Sequence, residues 1–177
     1  MRSPGRRRPD SAEWAIGLHC GNDRDAVIAV VQRVSNASVS IEGEIVARIG
    51  AGLVALLGVA RNDTGEDAQA LGGKIAGLRV FADDQGLMNR SVADIDGAVL
   101  LVSQFTLLGE VRRGRRPSFA AASAPEFAAP LIEAVAASIA GTGVPVSTGV
   151  FGAHMSVALV NDGPVTLIVR TESGRVV

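Results

Sequence analysis

Asn161-Asp162-Gly163-Pro164-Val165-Thr166 lies between two apolar runs, residues 154–160 and 165–169. Both runs alternate or accumulate β-branched residues, as strands do. Gly163 brings a backbone with no Cβ, and Pro164 brings one with no N–H. Side by side they leave carbonyl oxygens and α-hydrogens bare toward whatever stands opposite. On these residues alone two readings stay open. The pair makes an ordinary turn, or its main-chain atoms line a pocket and read the shape of a ligand.

Upstream, further strands are legible. Residues 98–102 and 53–59 are short continuous apolar runs, which suits strands buried on both faces. Residues 26–34 are apolar until Gln32-Arg33 interrupts them. Ala37, Val39 and Ile41 then alternate with Ser38 and Ser40, the period-2 pattern of a strand with one wet face. Glu42-Gly43 reads as a tight turn into Ile45, Ala47 and Ile49, while Val80-Phe81 and residues 145–150 read as short strands. Thr64 and Asp67 offer a capping-box-like start to a helix carrying Ala68, Leu71, Ile75 and Leu78 at helical spacing. Gly72-Gly73 weakens that helix by about 1 kcal/mol per glycine relative to alanine, so packing must hold it. Ser123 and Pro125 open a second helix in the order cap then proline. Phe127, Leu131, Val135 and Ile139 form its apolar face, Gly141 ends it, and Pro130 is expected to kink its first turn or delay its start. Two helices against a largely antiparallel or mixed sheet make an α/β or α+β layered domain.

Composition narrows the class. A chain of 177 residues, 47% hydrophobic, supports one domain with a real core. With five Phe, one Trp and no Tyr, that core must come from Val, Ile, Leu and Ala. A net charge of −1 neither demands nor excludes a nucleic-acid partner. Lys74 is the only lysine, so phosphate contacts fall to arginine. Cys20 is the only cysteine, so no disulfide forms within the chain, and with only His19 and His154 no Cys/His zinc cluster can be assembled. These features suit a reducing, cytoplasmic interior. No apolar run approaches the ~18–20 residues needed to cross a bilayer, so no membrane partner is expected. Residues 1–25 stand apart, with Arg2, Arg6, Arg7 and Arg8 among Pro4, Gly5 and Pro9. They read as a flexible leader or extension, or alternatively as a basic arm for RNA. Their apolar stretch is too short for a signal peptide. The folded domain spans residues 26–177.

Most standard chemistries find no footing. Cys20 lies in the leader. A Ser-His-Asp triad would have to use His154, at a strand start beside Met155, where a surface or hydrogen-bonded histidine is the plainer reading. Gly50 and Gly52 lack the spacing of a dinucleotide fingerprint. Asp83-Asp84 and the pair Asp94 and Asp96 read first as turn residues, and nothing calls for a metal or another cofactor. What remains is Ser103-Gln104-Phe105-Thr106 at the end of a buried strand, together with the Asn161–Thr166 stretch. In a strand, Ser103 and Phe105 would point one way and Gln104 and Thr106 the other. All four can serve one site only if the strand ends and turns there; otherwise they are the polar end of a strand edge.

These stretches resemble one family, the bacterial-type D-aminoacyl-tRNA deacylases, also called D-tyrosyl-tRNA deacylases. The resemblance runs through Val31-Gln32-Arg33-Val34 with Ala37-Ser38-Val39, then Ser103-Gln104-Phe105-Thr106-Leu107 and Arg116-Pro117-Ser118-Phe119. It continues through Gly149, Phe151-Gly152-Ala153 and Met155 into Asn161–Thr166. Five motifs in order cover the whole domain, while residues 1–25 have no counterpart.

The resemblance implies a barrel-like sheet packed with two main helices, and a homodimer with its active sites at the subunit interface. It implies a hydrolase that proofreads translation by cleaving the ester between a D-amino acid, or glycine, and the 3′-terminal adenosine of tRNA. It further implies a cis Gly163-Pro164 bond reaching from each subunit into the other's site, with Arg33 orienting the pair and Phe151 and Met155 lining the pocket. Ser103, Gln104, Phe105 and Thr106 become the catalytic corner. Thr106 matches a threonine that looks like a nucleophile, yet the sequence offers it no evident base. Alternatively the ribose 2′-OH assists water, and backbone N–H groups around Phe105 and Thr106 hold the oxyanion. Arg112, Arg113, Arg115 and Arg116 are read as acceptor-stem phosphate contacts or as a solvated loop. Two rival functions remain: a related editing enzyme acting on L-alanyl-tRNA through an altered pocket, and a non-catalytic dimeric RNA-binding module.

Overall fold

Val27–Ile41 form one 15-residue strand, β1, where the sequence suggested two. The computed structural model describes residues 26–112 and 114–177, so the basic start and Arg113 lie outside the described residues. After β1 come β2 (Glu44–Ile49), β3 (Gly52–Gly58), α1 (Gly65–Ala76), β4 (Phe81–Ala82) and β5 (Met88–Arg90). Next are β6 (Ala98–Ser103), a 3-10 turn at Phe105–Leu108, α2 (Pro125–Ala140), β7 (Val146–Thr148), β8 (Ser156–Glu172) and β9 (Arg175–Val176). The main sheet runs β7-β6-β3-β1-β8-β9, with β2 added on β1. β3, β6 and β7 are mutually parallel, and the other pairings are antiparallel.

β1 explains how the sheet curls. Its first half, from Ile28 to Val34, pairs with β3, and its second half, from Ala37 to Ile41, pairs with β2. β8 follows both halves, with register shifts around Val34. Such irregularities bend a strand and raise its twist, so the second halves of β1 and β8, with β2, fold over the outer face of β3 and β6. The result is a curled mixed sheet, a half-barrel.

Both faces of the central strands are therefore buried. Leu53, Ala55, Leu57, Val99 and Leu101 meet the helices through Leu71, Ile75, Val135 and Ile139. The alternate residues Val54, Leu100 and Val102 pack against Val34, Val39 and Ile49 inside the curl. This double burial accounts for the unbroken apolar runs of β3 and β6.

The helices are placed by specific contacts. Thr64 and Asp67 form a full capping box at the start of α1. The other Asp67 carboxylate oxygen accepts from Gly174 N–H at 2.7 Å, and its carbonyl accepts from Thr171 Oγ1 at 3.1 Å, tying α1 to the end of β8. Gly72 lets α2 come close, because a Cβ there would sit 2.6 Å from Ser138 Cβ. The helix cost of that glycine is thus offset by packing. At α2 the expected Ser123 cap is absent: Ala124 is the N-cap, with no side-chain hydrogen bond. Ser123 instead donates its N–H to Val59 carbonyl at 2.9 Å. Pro130 does not delay the helix, which starts at Pro125. Among the described residues no helix is long and apolar enough to cross a membrane.

Candidate active site

β6 ends at Ser103 because the chain turns there. Gln104 N–H donates to Leu57 carbonyl at 2.7 Å, and the 3-10 turn starts at Phe105. The strand alternation that would split the four residues therefore stops before Phe105. A cavity of about 560 Å³ opens against this corner. Ser103, Gln104 and Phe105 form one side of it, and Phe151 and Met155, from the segment before β8, form another. Phe119 and the start of α2 at Pro125, Ala128 and Ile132 close it.

Two aromatic rings fix the mouth. Phe105, 57% exposed, meets Phe119 edge-to-face with centroids 5.0 Å apart, a favoured arrangement for such rings. Gly109 leaves room for this, since a Cβ there would lie 3.0 Å from Phe119 Cε1. Behind Met155 in the opposite wall, Gly149 N–H donates to Leu101 carbonyl at 3.0 Å, and a Cβ at Gly149 would meet Met155 Sδ at 2.7 Å. The glycine thus makes the space that the methionine sulfur occupies.

Thr106 does not line the cavity wall, and it is exposed beside it. Its hydroxyl accepts a hydrogen bond from the Gln104 side-chain amide. A carboxamide is no base, so this contact holds the hydroxyl without activating it. The N–H groups of Phe105 and Thr106 come first in the turn, ahead of Leu107, whose N–H closes it onto Gln104 carbonyl at 3.2 Å. First-turn N–H groups have no carbonyl within their own helix to donate to.

Gly163 and Pro164 lie elsewhere. They are not a turn between two strands, because β8 runs through them without a break from Ser156 to Glu172. Asn161 pairs with Val34 and Thr166 with Gln32, so residues 162–165 swell outward opposite Arg33 alone. Asn161 Nδ2 closes the neck, donating to Arg33 carbonyl at 2.9 Å and to Val165 carbonyl at 3.0 Å. Gly163-Pro164 is a cis peptide, both residues are exposed, and Gly163 has φ +115°. Arg33 braces the swelling. Its Nε donates to Asp162 carbonyl at 3.3 Å and lies 3.0 Å from Asp162 Oδ2, while its Nη1 donates to Val80 carbonyl.

The sequence-predicted residues therefore form two groups. Ser103, Gln104, Phe105, Phe151 and Met155 converge on the cavity, with Thr106 at its edge; Arg33, Gly163 and Pro164 do not. Ser103 stands level with Leu57, Ala29 and Val169, whereas Arg33 is level with Leu53 and Val99. Four residues along a strand are roughly 13 Å. Sequence reasoning missed Ala128 and Ile132 as wall residues and read His154 as a surface or hydrogen-bonded histidine, without placing it at a cavity. It lines the cavity and is exposed.

The candidate metal ligands are engaged in their own turns. Asp83 accepts from the N–H groups of Gln85 and Leu87 at 2.9 and 3.0 Å and from Asn89 Nδ2 at 2.6 Å. Asp94 accepts from Ser91 N–H and Oγ, each at 2.7 Å. Hydrogen bonds from Asn89 and Leu87 hold the Asp83 carboxyl below its ordinary value, and those from Ser91 do the same for Asp94.

Residues 30–170 match the D-Tyr-tRNA(Tyr) deacylase family. A Desulfitobacterium hafniense protein named D-aminoacyl-tRNA deacylase is 58% identical over 144 residues, 81% of this chain and 97% of that protein. One of the same name from Chloroflexus aurantiacus is 57% identical over 141 residues, 80% of this chain and 88% of its own length. Among solved structures, one titled c-Myc DNA Unwinding Element Binding Protein is 39% identical, with a TM-score of 0.77 over 82% of this chain and 99% of that one. A probable eukaryotic D-amino acid tRNA deacylase superposes with a TM-score of 0.71 at 17% identity, a likeness of fold over 82% of this chain and all of the other.

Proposed function

The chain belongs to the D-Tyr-tRNA(Tyr) deacylase family, and from that premise we propose that it hydrolyses the ester joining a D-amino acid to the 3′-terminal adenosine of tRNA. The observation that carries the reading is the separation just described. The cavity has a turned Ser103-Gln104-Phe105 corner, while the main chain of Gly163-Pro164 stands exposed several residues along the sheet. One chain does not bring the two together. A second copy, packed across a twofold axis, supplies the pair to its neighbour's cavity. Exposed apolar side chains along β8, among them Val157, Val160, Leu167 and Ile168, support such a homodimer.

The chirality follows from what such a wall is made of. A D-residue presents hydrogen where its mirror image presents a side chain. A wall of main-chain atoms, braced by Arg33, has no rotamer with which to make room, so it rejects the L form by collision. Glycine has no side chain to collide, and glycyl-tRNA is cleaved by the same site.

The chemistry asks little of the protein. Water attacks the ester carbonyl, the bond to the ribose 3′-oxygen breaks, and the proton lost by water ends on that oxygen. The neighbouring 2′-OH assists this transfer. Phe105 and Thr106 N–H groups stabilise the developing oxyanion, and the cavity holds the reacting atoms in place. Thr106 is a positioned hydroxyl rather than the nucleophile. The exposed Arg115 and Arg116 meet acceptor-stem phosphates, which makes binding salt-dependent. Arg112 is already paired with Glu110 at 2.9 Å. Comparing D-tyrosyl- and L-tyrosyl-tRNA as substrates tests the reading.

A further inference from the structure

Of the described residues around the cavity, His154 alone carries a titratable or charged side chain. Its wall is otherwise apolar, apart from Ser103, Gln104 and Ser123, and no Asp, Glu, Lys or Arg among the described residues lines it. His154 is also exposed, so it stands at the mouth rather than at the floor. Among the described residues no carboxylate lines the cavity to orient the imidazole as a triad would.

A nucleotide held in such a cavity has a fixed polarity. Its base and acyl group take the enclosed apolar part. Its 5′-phosphate must face out, because the rest of the polynucleotide continues from that atom. A histidine at the mouth has an N–H to offer that phosphate, and its charged form would strengthen the bond. We propose that His154 binds the 5′-phosphate of the terminal adenosine, and so positions the substrate without taking part in ester cleavage. The inference rests on the proposed deacylase function, and it assigns a role to a residue the reaction itself leaves unused.

The test uses two minimal substrates, 3′-O-D-tyrosyl-adenosine and the same ester carrying a 5′-phosphate, with the full-length protein and its His154→Ala and His154→Lys variants. For the unsubstituted protein the phosphate is expected to lower KM by about tenfold, with kcat unchanged, as one exposed charge-assisted contact would. In His154→Ala that gain should shrink to about twofold or less, and His154→Lys should restore most of it. High salt should weaken the gain in the unsubstituted protein and in His154→Lys. An equal phosphate gain in all three proteins overturns the proposal. So does a fall of kcat on both substrates in His154→Ala, which would put the imidazole at the ester. If the unsubstituted protein cleaves neither substrate and also leaves D-tyrosyl-tRNA intact, the deacylase reading itself has failed.

Discussion

A β-carbon on Gly163 would stand 2.7 Å from Arg33 Nη2 and 3.0 Å from Val165 Cγ2. The guanidinium is packed against the glycine while also bonded to Asp162 and Val80, so it has little freedom to retreat. At φ +115° a side chain is strained in any case. Gly163→Ala is therefore expected to displace the peptide proposed as the chiral wall. In a deacylation assay it should lower kcat/KM for D-tyrosyl-tRNA by about 10- to 100-fold, the scale of a misplacement of about 1 Å. Unchanged kinetics would remove this peptide from the site.

Thr106 separates the two catalytic readings. Its hydroxyl accepts from the Gln104 amide, which is not a base. Thr106→Ala should leave single-turnover cleavage of D-tyrosyl-tRNA within about tenfold of the unsubstituted rate. A fall of about 10⁴-fold or more, the scale of removing a nucleophile, would restore the covalent mechanism.

Gly149→Ala should act on the cavity from the other side. Its new methyl would compete with Met155 Sδ for the same space. A methionine can move where a backbone cannot, so the sulfur shifts into the cavity. The expected outcome is a raised KM for the aminoacyl-adenosine end with little change in thermal stability. A large fall in Tm with unaltered KM would show that Met155 moves away from the cavity.

Asp67 predicts how stability depends on pH. Burial pushes its carboxyl up, but hydrogen bonds from Gly174 N–H and from the hydroxyl and N–H of Thr64 outweigh this and hold it below the ordinary value. The folded pKa is therefore depressed. Its stabilisation is complete above about pH 4, the unfolded value, and is lost as pH falls through the folded one. Asp67→Asn places an amide N–H₂ among donors and should cost about 1–3 kcal/mol at pH 7. Urea titrations of both proteins should converge as the pH is lowered toward 3. A constant difference between pH 7 and pH 3 would contradict the assignment.

Much of this was legible because local chemistry and fold agree. Thr64 and Asp67 signal a helix start and make one, and the unbroken runs of β3 and β6 reflect burial on two faces. The end of β6 at Ser103 was also legible, because polar residues follow a buried run. The single strands β1 and β8 were not legible. Arg33, and the swelling opposite it, interrupt the apolar pattern, yet pairing with neighbouring strands carries the backbone through. Nor could Ala128, Ile132 and His154 be placed beside Ser103, since only the docking of α2 and of the segment before β8 creates that wall. Ser123 reads as a cap, but its backbone is tethered to Val59 and its neighbour Ala124 begins the helix.

The decisive comparison is of kcat/KM for D-tyrosyl-tRNA and L-tyrosyl-tRNA, measured side by side with the full-length protein. Exclusion of the L form by a backbone wall predicts a preference for D of about 10³-fold or more, since a steric collision rejects far more strongly than a lost methylene contact. Comparable cleavage of both enantiomers would contradict the account.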